Sequence, residues 1–317
     1  MSKDSKMTRT AVLIPCFNEE AAIAKVITDF RMALPMADIY VFDNNSTDRT
    51  IEAAKHAGAI VRIEKLQGKG NVVRRMFADV EADIYVLVDG DSTYDASVAP
   101  SMIDLLSRNS LDMVNGSRVS VGNAAYRRGH KFGNKMLTGM VSWIFGNRFI
   151  DILSGYKVLS RRFVKSFPAL SSGFEIETEL TVHALELNMP IAEVETAYKE
   201  RPLGSSSKLS TFKDGFRILW VILVLAKEER PMYFFLLLAV LFSTLSAVIV
   251  IPIIIEFLET GLVPRMPSAA LSLGLMIVAF LALTCGMILE TVTRGRKELK
   301  RLRYLDIPAP QSLESGR

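Results

Sequence analysis

Ile84-Tyr85-Val86-Leu87-Val88-Asp89-Gly90-Asp91-Ser92-Thr93 is the stretch that decides the fold. Its first five residues are apolar, as in a strand buried on both faces, and the run stops on an acid, a glycine and a second acid. Two upstream segments share the design. Ala11 to Pro15 is an apolar run leading into Cys16-Phe17-Asn18-Glu19-Glu20, and Ile39 to Phe42 ends on Asp43-Asn44-Asn45-Ser46-Thr47-Asp48. Another strand is predicted over 60–63. Helices are predicted over 19–32, over 48–56, and from the Gly68-Lys69-Gly70 turn through Ala78. Short apolar strands alternating with helices imply a parallel sheet covered by helices on both faces. Ligands of such sheets gather beyond the carboxyl ends of the strands, where Asp43 and Asp89 both fall.

The residue types at those ends narrow the chemistry. Asp89 and Asp91, one residue apart after a buried strand, suit a hard divalent ion, Mg2+ or Mn2+, together with diphosphate oxygens. Asp43 is placed to hydrogen-bond the base or ribose of a nucleotide. Asn45, Ser46 or Asp48 caps the next helix. The Gly68-Lys69-Gly70 segment either reaches phosphates through Lys69 or forms a tight turn. Gly173-Phe174-Glu175-Ile176-Glu177-Thr178-Glu179 is a further acidic cluster, in which Glu175 is a candidate for sugar hydroxyls. Acids at a helix start are also favoured by the dipole alone.

Composition sets outer bounds. The chain has 317 residues and a net charge of +4, too small to indicate a nucleic-acid partner. Cys16 and Cys285 form no metal-ligand spacing, and His56, His130 and His183 are isolated. The opening residues are polar, so no signal peptide is expected. The mean hydropathy of +0.25 is carried by the last third. Met232–Ile255 and Met266–Leu289 are each free of charge; at about 1.5 Å per residue each reaches roughly 36 Å, enough for a bilayer core of about 30 Å. Arg294, Arg296, Lys297, Lys300, Arg301 and Arg303 follow the second run, whereas the linker carries Arg265 alone. The positive-inside rule then puts both chain ends on the cytoplasmic side of a plasma (inner) membrane. Leu209–Arg230, with aromatic and basic residues interleaved, reads as an interfacial helix or, alternatively, as a core helix. The expected layout is a catalytic domain over 1–207, an interfacial region over 208–231, a membrane hairpin over 232–290 and a basic cytoplasmic tail over 291–317.

Taken together, Ile14-Pro15-Cys16-Phe17-Asn18-Glu19-Glu20, the Asp43–Asp48 motif and Asp89-Gly90-Asp91 resemble glycosyltransferase family 2. More narrowly, the chain is similar to the polyprenol-phosphate sugar synthases, which include dolichol-phosphate mannose synthase and bacterial undecaprenyl-phosphate glucosyltransferases. Gly116-Ser117-Arg118, Asp151-Ile152-Leu153-Ser154-Gly155-Tyr156-Lys157 and Arg201-Pro202-Leu203-Gly204-Ser205-Ser206-Ser207-Lys208-Leu209 carry that narrower likeness.

The resemblance implies a GT-A fold, α/β and Rossmann-like, with a mostly parallel sheet. It implies an inverting transfer of a sugar from a nucleotide donor, UDP-glucose favoured, to a polyprenyl phosphate. Pro15, Phe17 and Glu19 would line the nucleoside pocket with Asp43, while Asp89 and Asp91, with Thr93, would hold the metal and diphosphate. Arg118 and one of Arg127, Arg128 or Lys131 would meet the acceptor phosphate. Arg201, Ser207 and Lys208 would close over the phosphates. Packing between anchors is compatible with a homotetramer. The sequence departs from the family where Thr93 replaces a common Gln and Lys157 replaces an Arg, which forfeits bidentate phosphate binding. Two rivals are a processive polysaccharide synthase, whose Gln-x-x-Arg-Trp motif is missing, and a non-catalytic membrane scaffold with the same fold.

Overall fold

The computed structural model describes residues 8–120, 139, 151–173, 175–199, 220, 224 and 227–310. The chain divides into two compact units, Met1–Ile218 with Lys300–Arg317, and Leu219–Leu299.

The first unit is built on a seven-stranded sheet of order β3-β2-β1-β4-β6-β5-β7. Its strands are β1 (Thr10–Cys16), β2 (Asp38–Asp43), β3 (Ile60–Ile63), β4 (Ile84–Leu87), β5 (Met113–Ser120), β6 (Lys157–Ser160) and β7 (Ile191–Tyr198). The helices are α1 (Ile23–Ala33), α2 (Thr50–His56), α3 (Lys69–Asp79), α4 (Ala99–Arg108), α5 (Arg161–Ser166) and α6 (Ile176–Glu186). Strands β1 to β4 pair in parallel, as the alternation of the sequence predicts. The far half is mixed: β6 runs antiparallel to β4 and β5, and β7 is parallel to β5.

Period-two alternation divides the apolar residues between the two faces of the sheet. Val12, Ile14, Ile39, Val41, Ile84 and Val86 share one core with Ile23, Val26, Ile27 and Phe30 of α1. On the other face Tyr85 meets Phe77 of α3 edge-on at 6.4 Å, and its hydroxyl donates to Val80 O. Each such buried side chain contributes roughly 1.5–3 kcal/mol. Helix α1 starts at Ile23 rather than near Glu19 because the backbone before it is tied elsewhere. The N–H groups of Asn18, Glu19 and Glu20 donate to Ser46 Oγ, Thr50 Oγ1 and Asp48 Oδ2.

Direction within the sheet locates the site. The carboxyl ends of β1, β2, β4, β5 and β7 lie on one edge, and antiparallel β6 begins there, with Lys157 opposite Leu87.

Residues 300–307 belong to the first unit. Tyr304 donates to Asp112 Oδ2 at 2.8 Å beneath the Arg162 guanidinium, which lies 4.3 Å from the ring centre. Lys300 donates to Glu186 at 2.6 Å.

The second unit holds α7 (Pro231–Thr260) and most of α8 (Met266–Leu305), both long and apolar enough to cross a membrane. Most of their buried residues are small or polar, Ala239, Ser246, Ser272, Ala279 and Gly286, and Ile253 is buried with them. Ser246 Oγ donates to Ser272 O at 2.8 Å, and Ser272 Oγ donates back to Ser246 O. Leu237, Val248, Leu258, Leu273 and Phe280 point outward, where a soluble core helix would hide them. Gly261, with φ +71°, ends α7 in the left-handed conformation.

A candidate active site at the carboxyl edge of the sheet

Asp43 is the last residue of β2 and is buried. Its Oδ2 accepts the Ser46 N–H at 3.0 Å, while Oδ1 has no partner among the described residues. A buried acceptor left open in this way marks a place for an incoming donor. The residues after Asp43 act on the backbone. Asn44 donates to Glu64 O and Leu66 O and accepts the Gly68 N–H at 2.7 Å, fixing the start of α3. Asp48 accepts the N–H of Thr50, the first residue of α2, although the N-cap position itself is Arg49, which makes no side-chain cap.

The Gly68-Lys69-Gly70 segment is both a tight turn and a reaching lysine. Gly68 has φ +126°, and a Cβ on Gly70 would lie 2.1 Å from Ser171 O, so the turn is pressed onto the Ser171–Ser172 backbone. Glu179 holds that backbone by accepting the Leu170 and Ser171 N–H groups, which is a structural task. Lys69 then points to the sheet edge, where its ammonium donates to Asp89 Oδ1 at 2.5 Å and to Glu177 Oε1. Burial opposes the Lys69 charge, yet the two carboxylates raise its pKa above the ordinary value. Burial pushes the Glu177 carboxyl up, with Lys69 opposing.

Asp89 lies just beyond β4, after Val88. Gly155 packs so closely on it that a Cβ there would stand 2.3 Å from Asp89 Oδ2. Asp91 is buried, and its Oδ1 accepts the Thr93 hydroxyl at 2.6 Å and the Thr93 N–H at 3.2 Å. Thr93 therefore spends its proton on orienting Asp91. The Tyr198 phenol is pushed up by burial and then by Asp91, with Asp89 adding to the effect. Among the described residues, no three His, Cys, Asp or Glu side chains gather as a metal cluster. The donor set still fits a hard cation, because Asp89 and Asp91 put two carboxylates at one strand end and Mg2+ is commonly held by one or two carboxylates with phosphate and water.

Arg118 reaches the same edge from β5, but its fork is engaged. Nε and one terminal nitrogen donate to the two oxygens of Asp151 at 2.7 and 2.8 Å, and the guanidinium lies 5.6 Å from the Tyr198 ring centre. Burial resists ionisation of Asp151, but Arg118 outweighs it and keeps the carboxyl below its usual range. Lys157 lies deeper than a phosphate ligand would. It is fully buried and donates to Asn115 Oδ1 and Thr181 Oγ1, and burial pulls its pKa down to about 8. Asn115 in turn donates to Asp151 O and Glu193, so Lys157 supports the Arg118–Asp151 pair from below.

Pro15, Phe17 and Glu19, partly buried, cross from β1 to α1 at this edge. Arg127, Arg128, Lys131, Arg201, Ser207 and Lys208 lie outside the described residues, as does Phe174. Tyr198 joins the site unread from the sequence, and Glu177 and Gly155 join it from the acidic cluster and the Asp151–Lys157 motif, where neither had a role of its own. The signal for Glu177 is its spacing: two residues from both Glu175 and Glu179, it falls on the opposite, inward side of α6.

A family model described as Glycosyl transferase family 2 matches residues 11–164. Glycosyltransferase AglJ of Haloferax volcanii is 36% identical over 226 residues, which cover 71% of this chain and 74% of that protein. A dolichyl-phosphate hexose transferase of the same organism is 29% identical over 221 residues, covering 69% of this chain and 95% of that one. Protein RfbJ of Shigella flexneri is 62% identical over 122 residues, 38% of this chain and 95% of its own length. Among solved structures, glucosyl-3-phosphoglycerate synthase from Mycobacterium tuberculosis, in complex with Mn2+, UDP and glucosyl-3-phosphoglycerate, superposes with a TM-score of 0.55. That pair is 25% identical and covers 70% of this chain and 80% of the other. The sheet order, the acidic edge and these relatives agree: the chain is a sugar-transferring enzyme and belongs to glycosyltransferase family 2.

Proposed function

We propose that this enzyme moves a hexose from a nucleoside diphosphate sugar, UDP-glucose favoured, to a polyprenyl phosphate at a membrane surface. The observation that carries the reading is the pair of acids Asp89 and Asp91, with the Lys69 ammonium beside Asp89, on the same strand edge where Asp43 keeps one buried oxygen open. A dolichyl-phosphate hexose transferase among the relatives and the two apolar helices support a lipid acceptor.

Asp43 accepts a hydrogen bond from the base or ribose, beside Pro15, Phe17 and Glu19. Asp89 and Asp91 hold Mg2+ or Mn2+, and Thr93 keeps Asp91 in the orientation to do so. The metal, when bound, neutralises charge on the departing diphosphate. Lys69 adds a positive charge beside it. Arg118, braced by Asp151, sets a positive rim towards the acceptor, and Arg201, Ser207 and Lys208 contribute further phosphate contacts. The acceptor phosphate is already anionic at neutral pH, so an oxygen attacks the anomeric carbon without a general base. The new C–O bond forms as the bond to the diphosphate breaks, inverting the configuration. Catalysis is thus positioning and charge compensation. The catalytic unit lies on the cytoplasmic face, anchored by α7 and α8.

The test offers a panel of nucleotide sugars and a radiolabelled polyprenyl phosphate to the full chain with Mg2+ or Mn2+. One donor should give a glycosylated lipid, and Asp91→Asn, which keeps an acceptor for Thr93, should abolish turnover with the fold intact. No transfer from any donor would overturn the reading, and full turnover by Asp91→Asn would remove the metal assignment.

A further inference from the structure

Lys69 has two carboxylates and one positive charge to share between them. Its side chain is 11% exposed, that of Glu177 9% and that of Asp89 28%. The ammonium has little freedom to drift, because Asn44 fixes Gly68 and the Ser171–Ser172 backbone fixes Gly70. A divalent ion on Asp89 would come close to that ammonium, and two cations sharing one carboxylate in a poorly solvated pocket repel strongly.

We infer that Lys69 is a resident counter-ion of the acidic pair, making divalent-ion binding conditional on a nucleoside diphosphate, and that Glu177 is the positioning residue that keeps the ammonium when Asp89 turns to the metal. The diphosphate supplies the negative charge that lets metal and ammonium coexist. Metal and nucleotide then bind with positive coupling, each raising the affinity of the other by the same factor. This rests on the metal reading above and adds to it the order of loading.

The decisive variant is the double substitution K69Q/E177Q. It removes one positive and one negative charge, so the net charge of the Lys69–Asp89–Glu177 trio is unchanged while Asp89 loses its ammonium. Mn2+ binding to the full chain in detergent micelles is followed through the electron paramagnetic resonance signal of free Mn2+, with and without UDP. Wild type should bind Mn2+ roughly tenfold more tightly with UDP than without. The double variant should bind Mn2+ alone roughly tenfold more tightly than wild type does, with the gain from UDP largely lost. E177Q retains the ammonium on Asp89, so it should bind Mn2+ alone no more tightly than wild type. Circular dichroism and thermal unfolding identify any variant that has not folded. Should K69Q/E177Q misfold, K69Q alone, read for the same tightening, takes its place. Folded variants whose affinity for Mn2+ alone equals that of wild type, with UDP-dependent binding intact in wild type, would overturn the counter-ion and leave the metal reading standing. If wild type binds no Mn2+ with or without UDP, both fall.

Discussion

Gly155 shows how much a single residue controls here. Its N–H donates to the Tyr94 hydroxyl at 2.8 Å, and its bare Cα leaves room for Asp89. Gly155→Ala should push the Asp89 carboxylate aside; a shift of about 1 Å costs on the order of a hundredfold in rate. Steady-state kcat alongside the thermal midpoint checks this, with kcat expected to collapse while the midpoint changes little. Asp43 and Asp89 were legible in the sequence because each ends an apolar run, and the strand edge is where such acids act. Tyr198 was not, and Gly155 and Glu177 stood only inside longer stretches, with no role of their own. They come from three segments far from residue 89, and only the antiparallel insertion of β6 brings Gly155 beside it. Lys157 was legible as an unusual basic residue but not as a buried one, since nothing local reveals that its ammonium meets Asn115 and Thr181.

At the scale of elements, the first half of the sheet could be read almost strand by strand, because each run of β1 to β4 is apolar and followed by a helix. The second half hides its direction. Lys157–Ser160 is short and begins with a lysine, so neither periodicity nor length identifies an antiparallel strand. The turn that leads into α3 depends on a single side chain. Asn44 satisfies two carbonyls and one N–H across the 64–68 segment, and leaving such buried groups unpaired costs about 1–3 kcal/mol each. Asn44→Ala should therefore loosen the Lys69 turn while leaving β1 to β4 in place. Initial-rate kinetics should show a rise of several-fold or more in the donor KM, exceeding the fall in kcat. A fall in kcat with KM unchanged would mean that the turn matters only to the transition state.

Across the whole molecule, composition marked out an apolar end, whereas the compact units are Met1–Ile218 with Lys300–Arg317 and Leu219–Leu299, so the last residues return to the first unit. Composition could not show where the basic residues after the second apolar run go. Arg296 and Lys297 pair with Glu229 in the second unit, while Lys300 and Tyr304 pair with Glu186 and Asp112 in the first. Asp112 is wholly buried and also accepts from Ser160 and from Arg162. Tyr304→Phe removes a hydrogen bond to that charged group, and a loss of about 1.5–3 kcal/mol is expected. Chemical denaturation in micelles measures it. Because the ribosome delivers residues 300–307 after both apolar runs, the unit bearing the acidic edge stays unfinished through most of synthesis. A polypeptide stalled or clipped before Lys300 leaves the buried Glu186 side chain without its Lys300 ion pair and takes the Tyr304 hydrogen bond from Asp112, which keeps Ser160 and Arg162.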